Sequence, residues 1–202
     1  RAETYLNRRK YKKDGRMNDI DRRYAEVENL LYTKHSQIKK NGLEHIKKIL
    51  SEFGDPHRKM GKIIHITGTN GKGSVAYITE SILRNMGFDT ALYTSPHVSE
   101  LTERIQINRV PISKKDFVEL FEKVYSACGN LSFFEIMTLI AFLYFENKAD
   151  YSVIEVGIGG LYDTTNVFDD TVLSFITSIS LDHTELLGPA ETDIAFQKSG
   201  II

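Results

Sequence analysis

Seven consecutive residues, Gly68-Thr69-Asn70-Gly71-Lys72-Gly73-Ser74, place three glycines, a lysine and two hydroxyls within one short stretch. Glycines let a backbone curl so that its N–H groups face an anion, a following helix adds the positive end of its dipole, and a lysine supplies a mobile cation. The stretch follows the apolar run Lys62-Ile63-Ile64-His65-Ile66-Thr67 and precedes Val75, Ile78, Ile82, Leu83 and Met86, which share a helical face that ends at Gly87. Strand, glycine-rich turn and helix in this order form a phosphate-binding arrangement. The spacing is a variant, because Thr69 and Asn70 alone separate Gly68 from the Gly71-Lys72 pair, and Gly73 stands between Lys72 and Ser74. Lys72 is expected at the β- and γ-phosphates of a nucleotide and Ser74 beside a magnesium ion. The competing reading is a glycine-rich turn with an incidental lysine.

The elements that must hold this loop follow from periodicity. Residues 88–94 supply a second strand and complete a βαβ unit, and residues 151–156 and 172–179 are two further apolar, β-branched runs. Helical patterns at residues 115–127 and 133–146 lie between them, and two more helices are expected between residues 21 and 53. The fold class is therefore α/β, a layered domain with a mostly parallel central sheet flanked by helices and preceded by a short helical segment. Ligands of such folds gather at the carboxyl ends of the strands.

The bulk numbers exclude several classes. With 41% hydrophobic and 26% charged residues the chain is too apolar for disorder, and the net charge of −1 lacks the basic excess of a nucleic-acid binder. The basic residues of positions 1–23 read as a solvated, disordered extension, with a nucleic-acid or membrane arm as the alternative; the domain proper is expected at residues 24–202. The longest apolar stretch, residues 133–145, is interrupted by Glu135 and is too short to span a bilayer, so it reads as a buried helix. A single cysteine, Cys128, rules out an intramolecular disulfide framework and points to a reducing, cytoplasmic setting.

Beyond the loop come Thr94-Ser95-Pro96-His97, Glu103-Arg104-Ile105, Ser132-Phe133-Phe134-Glu135, Glu155-Val156-Gly157-Ile158-Gly159-Gly160, Asp163-Thr164-Thr165-Asn166, Leu181-Asp182-His183-Thr184-Glu185 and Lys198-Ser199-Gly200-Ile201. In order and approximate spacing this series resembles the folylpolyglutamate synthase/dihydrofolate synthase family, relatives of the Mur peptidoglycan ligases, throughout residues 41–202. The resemblance implies a P-loop ATP-binding domain and an ATP-dependent acid–amino-acid ligase. Such an enzyme adds L-glutamate to dihydropteroate or folylpolyglutamate through an acyl phosphate in folate biosynthesis. A Mur-type ligase of peptidoglycan precursors, a simple P-loop hydrolase and a non-catalytic nucleotide-binding module stand as alternatives.

The resemblance also assigns residues. ATP is expected on Thr69, Asn70, Gly71, Lys72, Gly73 and Ser74, and Mg²⁺ on Ser74, Ser95, Glu155 and His183, with K⁺ as a further candidate cation. Hydroxyls and a carboxylate suit Mg²⁺, whereas imidazole suits it poorly, so His183 is otherwise read as a structural hydrogen-bonder. Lys72, His183 and Lys198 are the expected catalytic residues, and the family pattern implies a carbamate on Lys198, which otherwise reads as a helix-surface cation. Ser132, Phe133, Phe134, Glu135, Tyr162 and His97 are expected at the pterin-bearing substrate; the plainer readings put Phe133 and Phe134 in the core and His97 on the surface. Asp163 and Asn166 are expected to brace the glycine loop. Leu161 and His45 depart from the family's usual arginines. Nothing in the sequence matches the family's C-terminal domain, so this stretch alone is expected to show little ligase turnover. The partners implied are small molecules, with no nucleic acid, no membrane and a monomeric state.

Overall fold

Strand-forming runs gather into one six-stranded sheet of order β4-β3-β2-β5-β1-β6 in the computed structural model, which describes residues 18–34, 42–128 and 130–202. β1 (Lys62–Thr67), β2 (Thr90–Tyr93), β5 (Tyr151–Glu155) and β6 (Leu173–Ile176) are parallel. β3 (Ile105–Ile107) and β4 (Val110–Pro111) form an antiparallel hairpin on the β2 edge. Ile66 pairs with Glu155 on one side and Phe175 on the other, so β1, β5 and β6 deliver their carboxyl ends at one level. The loops after these three strands build the site.

Strand side chains alternate between two cores. Ile63, Ala91, Tyr93 and Ile154 face α1 (Asp19–Lys34), α2 (Leu43–Glu52), α4 (Lys114–Ala127) and α5 (Phe133–Phe145). Ile64, Ile66, Leu92 and Val153 face α3 (Lys72–Asn85). α5 is buried around nearly its whole circumference, as its unbroken apolar run predicts. None of the described helices is long and apolar enough to cross a membrane. The chain continues through α6 (Thr184–Leu187) and α7 (Glu191–Ser199).

Three expectations need correction or completion. The buried face of α3 is set by Ala76 and Glu80, with Val75 and Leu83 at its flanks, while Ile78, Ile82 and Met86 are exposed. The helix is rotated because Glu80 is used inside: its carboxylate accepts from Arg84 Nε at 3.1 Å and Thr90 Oγ1 at 2.9 Å, and Arg109 Nη1 stands 3.3 Å from its second oxygen. The β3–β4 hairpin was not legible in the sequence. It turns on Asn108 and Arg109, both at positive φ, a geometry that usually takes glycine; Asn108 Oδ1 holds Thr90 N–H at 2.8 Å, and Arg109 rests on the Tyr77 ring at 4.4 Å. Of the basic extension, residues 1–17 lie outside the described residues, whereas Asp19–Arg23 already belong to α1.

Candidate functional site

β1 runs directly into the phosphate loop. At Gly68 a Cβ would stand 1.9 Å from Thr177 Oγ1, so a side chain is excluded where the loop passes the end of β6. Thr69 N–H donates to Ser178 O at 2.8 Å, Thr69 Oγ1 accepts from Ser180 N at 3.1 Å, and Asn70 N–H donates to Ser178 Oγ at 3.0 Å. Thr177 Oγ1 returns a bond to Asn70 O at 2.7 Å. Thr69 and Asn70 are thus stitched to the segment after β6. Gly71, at φ 83°, then turns the chain into α3, and the N–H groups of Gly71, Lys72, Gly73 and Ser74 have no acceptor among the described residues. These four donors sit at the positive end of the helix, where an anion is held most readily. Lys72 Nζ folds back on Gly68 O at 2.9 Å and Thr69 O at 3.3 Å, and Ser74 is exposed.

Glu155 ends β5 beneath this helix start. It is 3% exposed, its Oε2 accepts the Ser95 N–H at 2.8 Å, and a Cβ on Gly73 would lie 3.6 Å from the same oxygen. Burial pushes its carboxyl above the usual carboxylate range, against the opposing pull of the Ser95 N–H, Lys72 and Arg104. The buried Glu155 carboxylate, bonded to the Ser95 N–H and close to Gly73, suits a hard divalent cation that would complete its shell with hydroxyl, phosphate and water oxygens. Among the described residues no group of three or more His, Cys, Asp or Glu gathers for a metal, so any such cation draws on hydroxyl and ligand oxygens.

Lys198 and His183 approach from the chain's last elements. Lys198, on α7, is 3% exposed, and its ammonium makes no hydrogen bond or ion pair with the described residues. Burial lowers its pKa first, the Lys72 charge lowers it further, and Asp182 opposes both, which places Lys72, Asp182 and Lys198 in one electrostatic neighbourhood. The sequence alone suggested a surface cation; the structure buries it. His183 precedes α6 at φ 47°, half-exposed and 3.8 Å from Asp182. No contact among the described residues joins His183 to Ser74, Ser95 or Glu155.

The glycine loop after β5 aligns these parts. Asp163 takes the Ile158 N–H on Oδ2 at 3.0 Å, and the Thr165 N–H and hydroxyl on Oδ1 at 3.0 and 2.6 Å. Asn166 Nδ2 donates to Leu161 O at 3.3 Å and Gly200 O at 2.9 Å, so both Asx side chains brace the loop as expected. His65, fully buried on β1, donates from Nε2 to Thr165 Oγ1 at 2.8 Å, extending the network under the loop. A Cβ on Gly160 would meet Gln197 O at 2.8 Å and Lys198 O at 2.9 Å, which seats the loop on the turn of α7 that carries Lys198.

The expected substrate residues divide. Ser132 and Glu135 form a capping box at the start of α5: Ser132 Oγ accepts Glu135 N–H at 3.3 Å, and Glu135 Oε2 accepts Ser132 N–H at 2.7 Å. Phe134 lies against Gly157, where a Cβ would fall 2.6 Å from its ring. Phe133 stacks on Tyr32 of α1 at 6.2 Å and carries the Arg104 guanidinium at 5.2 Å. Arg104 Nε donates to His97 Nδ1 at 2.9 Å, which leaves the neutral ring's proton on Nε2, 3.1 Å from Tyr32 Oη. Tyr162 is 73% exposed and stands apart from this cluster.

Tyr32, Arg104, Asp182, Thr177 and Ser178 were not singled out from sequence. Arg104 and Asp182 lay inside recognised segments; Tyr32, Thr177 and Ser178 carry no pattern of their own.

The sequence profile of the Mur ligase middle domain matches residues 66–202. Over 150 residues the chain is 45% identical to the mitochondrial folylpolyglutamate synthase of Bos taurus, a match covering 69% of this chain and 26% of that protein. The structure of E. coli FolC in complex with DHPP and ADP matches with a TM-score of 0.81 at 34% identity, over 88% of this chain and 43% of that one. A bifunctional folylpolyglutamate synthase/dihydrofolate synthase with Mn, AMPPNP and L-glutamate bound matches with a TM-score of 0.79 at 35% identity, over 88% and 43% of the two chains. The chain therefore spans less than half the length of these relatives.

Proposed function

The chain belongs to the Mur ligase family through its middle domain, and on that premise we propose that it supplies the ATP and folate part of an ATP-dependent ligase that adds L-glutamate to dihydropteroate or a folylpolyglutamate. The observation that carries this is the convergence at one level of the sheet: four N–H groups at residues 71–74 that have no acceptor among the described residues, Lys72, and the buried Glu155 bonded to Ser95. Relatives bound to adenine nucleotides, Mn, DHPP and L-glutamate support the same reading.

In this reading the N–H groups hold the nucleotide's phosphates, and Lys72 leaves the Gly68 and Thr69 carbonyls to offset charge on the transferring phosphoryl group. The acceptor carboxylate takes the γ-phosphoryl group of ATP as ADP leaves, and glutamate's amine then attacks the acyl carbon, losing a proton as phosphate leaves. Ser74, Ser95 and Glu155 would hold Mg²⁺, which supplies charge neutralisation when bound. His183 is kept as a further ligand, which would have to approach the cluster from the start of α6, where it stands beside Asp182. Lys198, buried and with its pKa lowered by that burial, suits an amine that adds carbon dioxide and releases a proton to become a carbamate. Phe133 and Phe134 would line the heterocycle, with His97 and Tyr162 at its margin, while Ser132 and Glu135 act by fixing the helix that presents them. K⁺ is retained as an additional cation, and a monomer in a reducing cytoplasm as the working state.

Titration of the intact protein with AMPPNP and dihydropteroate, alongside labelled-glutamate incorporation, tests the reading. Binding of both, with glutamate-dependent ATP turnover, is expected. Turnover with a nucleotide-linked peptide precursor but not with pterin carboxylates would reassign the enzyme to the peptidoglycan ligases.

A further inference from the structure

We infer that Arg104 is a binding residue for the carboxylate of the acceptor substrate, an inference that rests on the folate-ligase reading above. Arg104 is 6% exposed, yet among the described residues no carboxylate lies within ion-pair distance of its guanidinium. Its one side-chain hydrogen bond runs from Nε to a neutral acceptor, His97 Nδ1, at 2.9 Å. The Nη edge has no acceptor and is not among the fully sealed polar atoms of the chain. Burying a cation with no carboxylate in ion-pair contact is unfavourable, and burial holds the Arg104 pKa below its ordinary value against the weaker opposing pull of Tyr93, Tyr32 and Glu155. Elsewhere the chain treats buried charge differently: Glu80, fully buried, is met by both Arg84 and Arg109.

The surroundings hold the guanidinium in place. Its plane rests over Phe133 at 5.2 Å, Phe133 is backed by Tyr32, and Nε is tied through His97 to the Tyr32 hydroxyl. Fixing one edge leaves the opposite edge as a fork of parallel N–H donors, the arrangement that takes a carboxylate in two-point contact.

The choice between a carboxylate and a nucleotide phosphate follows from position. Phosphates are served by the N–H groups of residues 71–74 and by Lys72, at the start of α3. Arg104 sits with the aromatic residues at the start of β3, and both Lys72 and Arg104 act on Glu155, which therefore has a cation on the phosphate side and another on the aromatic side. An aryl carboxylate entering at the rim of this aromatic cluster would present its oxygens to the free edge of Arg104.

The experiment titrates the intact protein with dihydropteroate, with its carboxamide and with AMPPNP, in the parent and in Arg104→Met and Arg104→Lys. The parent should prefer carboxylate to carboxamide by about tenfold or more, as expected for a charge-assisted two-point contact. Arg104→Met should lose that preference while AMPPNP affinity stays within about twofold, and its ligand-free melting temperature should hold or rise, since an apolar side chain relieves the buried charge. Arg104→Lys, which keeps the charge without the fork, should lose most of the preference and decides the matter if the Met variant does not fold. A preference that survives in the folded variants, or a loss confined to AMPPNP, would overturn the inference. A lower melting temperature with the preference intact would make Arg104 a structural brace instead. If the parent binds carboxylate and carboxamide equally, Arg104 falls while the folate reading stands; if it binds neither, both fall.

Discussion

The Ser95 backbone N–H and the Glu155 carboxylate are joined at 2.8 Å, which locks the loop after β2 to the end of β5. That bond makes Glu155 both a brace and a candidate metal ligand, and the two roles respond to pH in a defined way. Burial raises the folded-state pKa above 4.5, so between 4.5 and that raised value the unfolded chain gives up its proton first. Stability contributed by this group therefore falls as pH rises through the window. Metal-dependent nucleotide binding runs the other way and weakens as pH falls through it. Glu155→Gln should flatten both trends and reduce Mg-dependent AMPPNP affinity by about tenfold or more, read by calorimetric titration from pH 5 to 8. An unchanged pH profile in the variant would remove Glu155 from the metal site.

His65 gives a second, opposite pH signature. Desolvation lowers its pKa to about 3, and its buried Nδ1 has no hydrogen-bond partner among the described residues. The unfolded chain takes up the proton first as pH drops below 6.5, so stability present at neutral pH is lost on acidification. From pH 7 to pH 5 the loss attributable to this residue is about 2 kcal/mol, measurable as a drop in urea midpoint. A His65→Gln variant, unable to titrate, should lose less over the same interval.

Gly160 faces two backbone carbonyls rather than a yielding side chain, so a methyl group there has to displace α7. Gly160→Ala should cost about 1–3 kcal/mol of stability, the usual range for overpacking a close contact. It should also lower turnover further than the stability loss explains, because the displaced turn carries Lys198. A denaturation curve beside kcat at saturating substrate checks both parts.

Ser132 and Glu135 cap α5 reciprocally, and their substitution separates capping from substrate contact. Ser132→Ala and Glu135→Ala should each destabilise by about 1 kcal/mol, with the double variant falling short of the sum, as removal of either partner breaks the same box. Dihydropteroate affinity at a temperature well below melting should stay within about twofold if capping is the whole role. A large affinity loss in a variant of unchanged melting temperature would show direct contact.

Much of the site was legible because its chemistry coincides with strong local patterns. The apolar run into Gly68, the glycines and the helical spacing after Lys72 fixed β1, the loop and α3, and β5 ended on Glu155 where the apolar run stops. Orientation was less legible. Periodicity placed Ile78, Ile82 and Met86 inward, but the charged cluster around Glu80 turned α3 the other way, and no hydropathy pattern anticipates a buried carboxylate with two arginine partners. The β3–β4 hairpin escaped notice because strands of three and two residues carry no periodicity, and its turn uses Asn108-Arg109 in place of glycine. Tyr32 meets His97 across 65 residues of sequence, a relationship that packing creates and spacing does not reveal.

The bonds from Thr69 and Asn70 to residues 177–180 fix the first half of the glycine-rich loop from within the protein itself. Conformational entropy that a free glycine-rich loop would surrender on binding is surrendered here during folding. On the reading proposed above the receptacle is largely preorganised, and Lys72, bonded to the Gly68 and Thr69 carbonyls, is a part of it that would move. Nucleotide capture should then resemble docking into a rigid mould, with an association rate limited by encounter and not by loop closure. Cutting the Thr69–Ser178 seam would turn the same sequence into a slower, induced-fit binder.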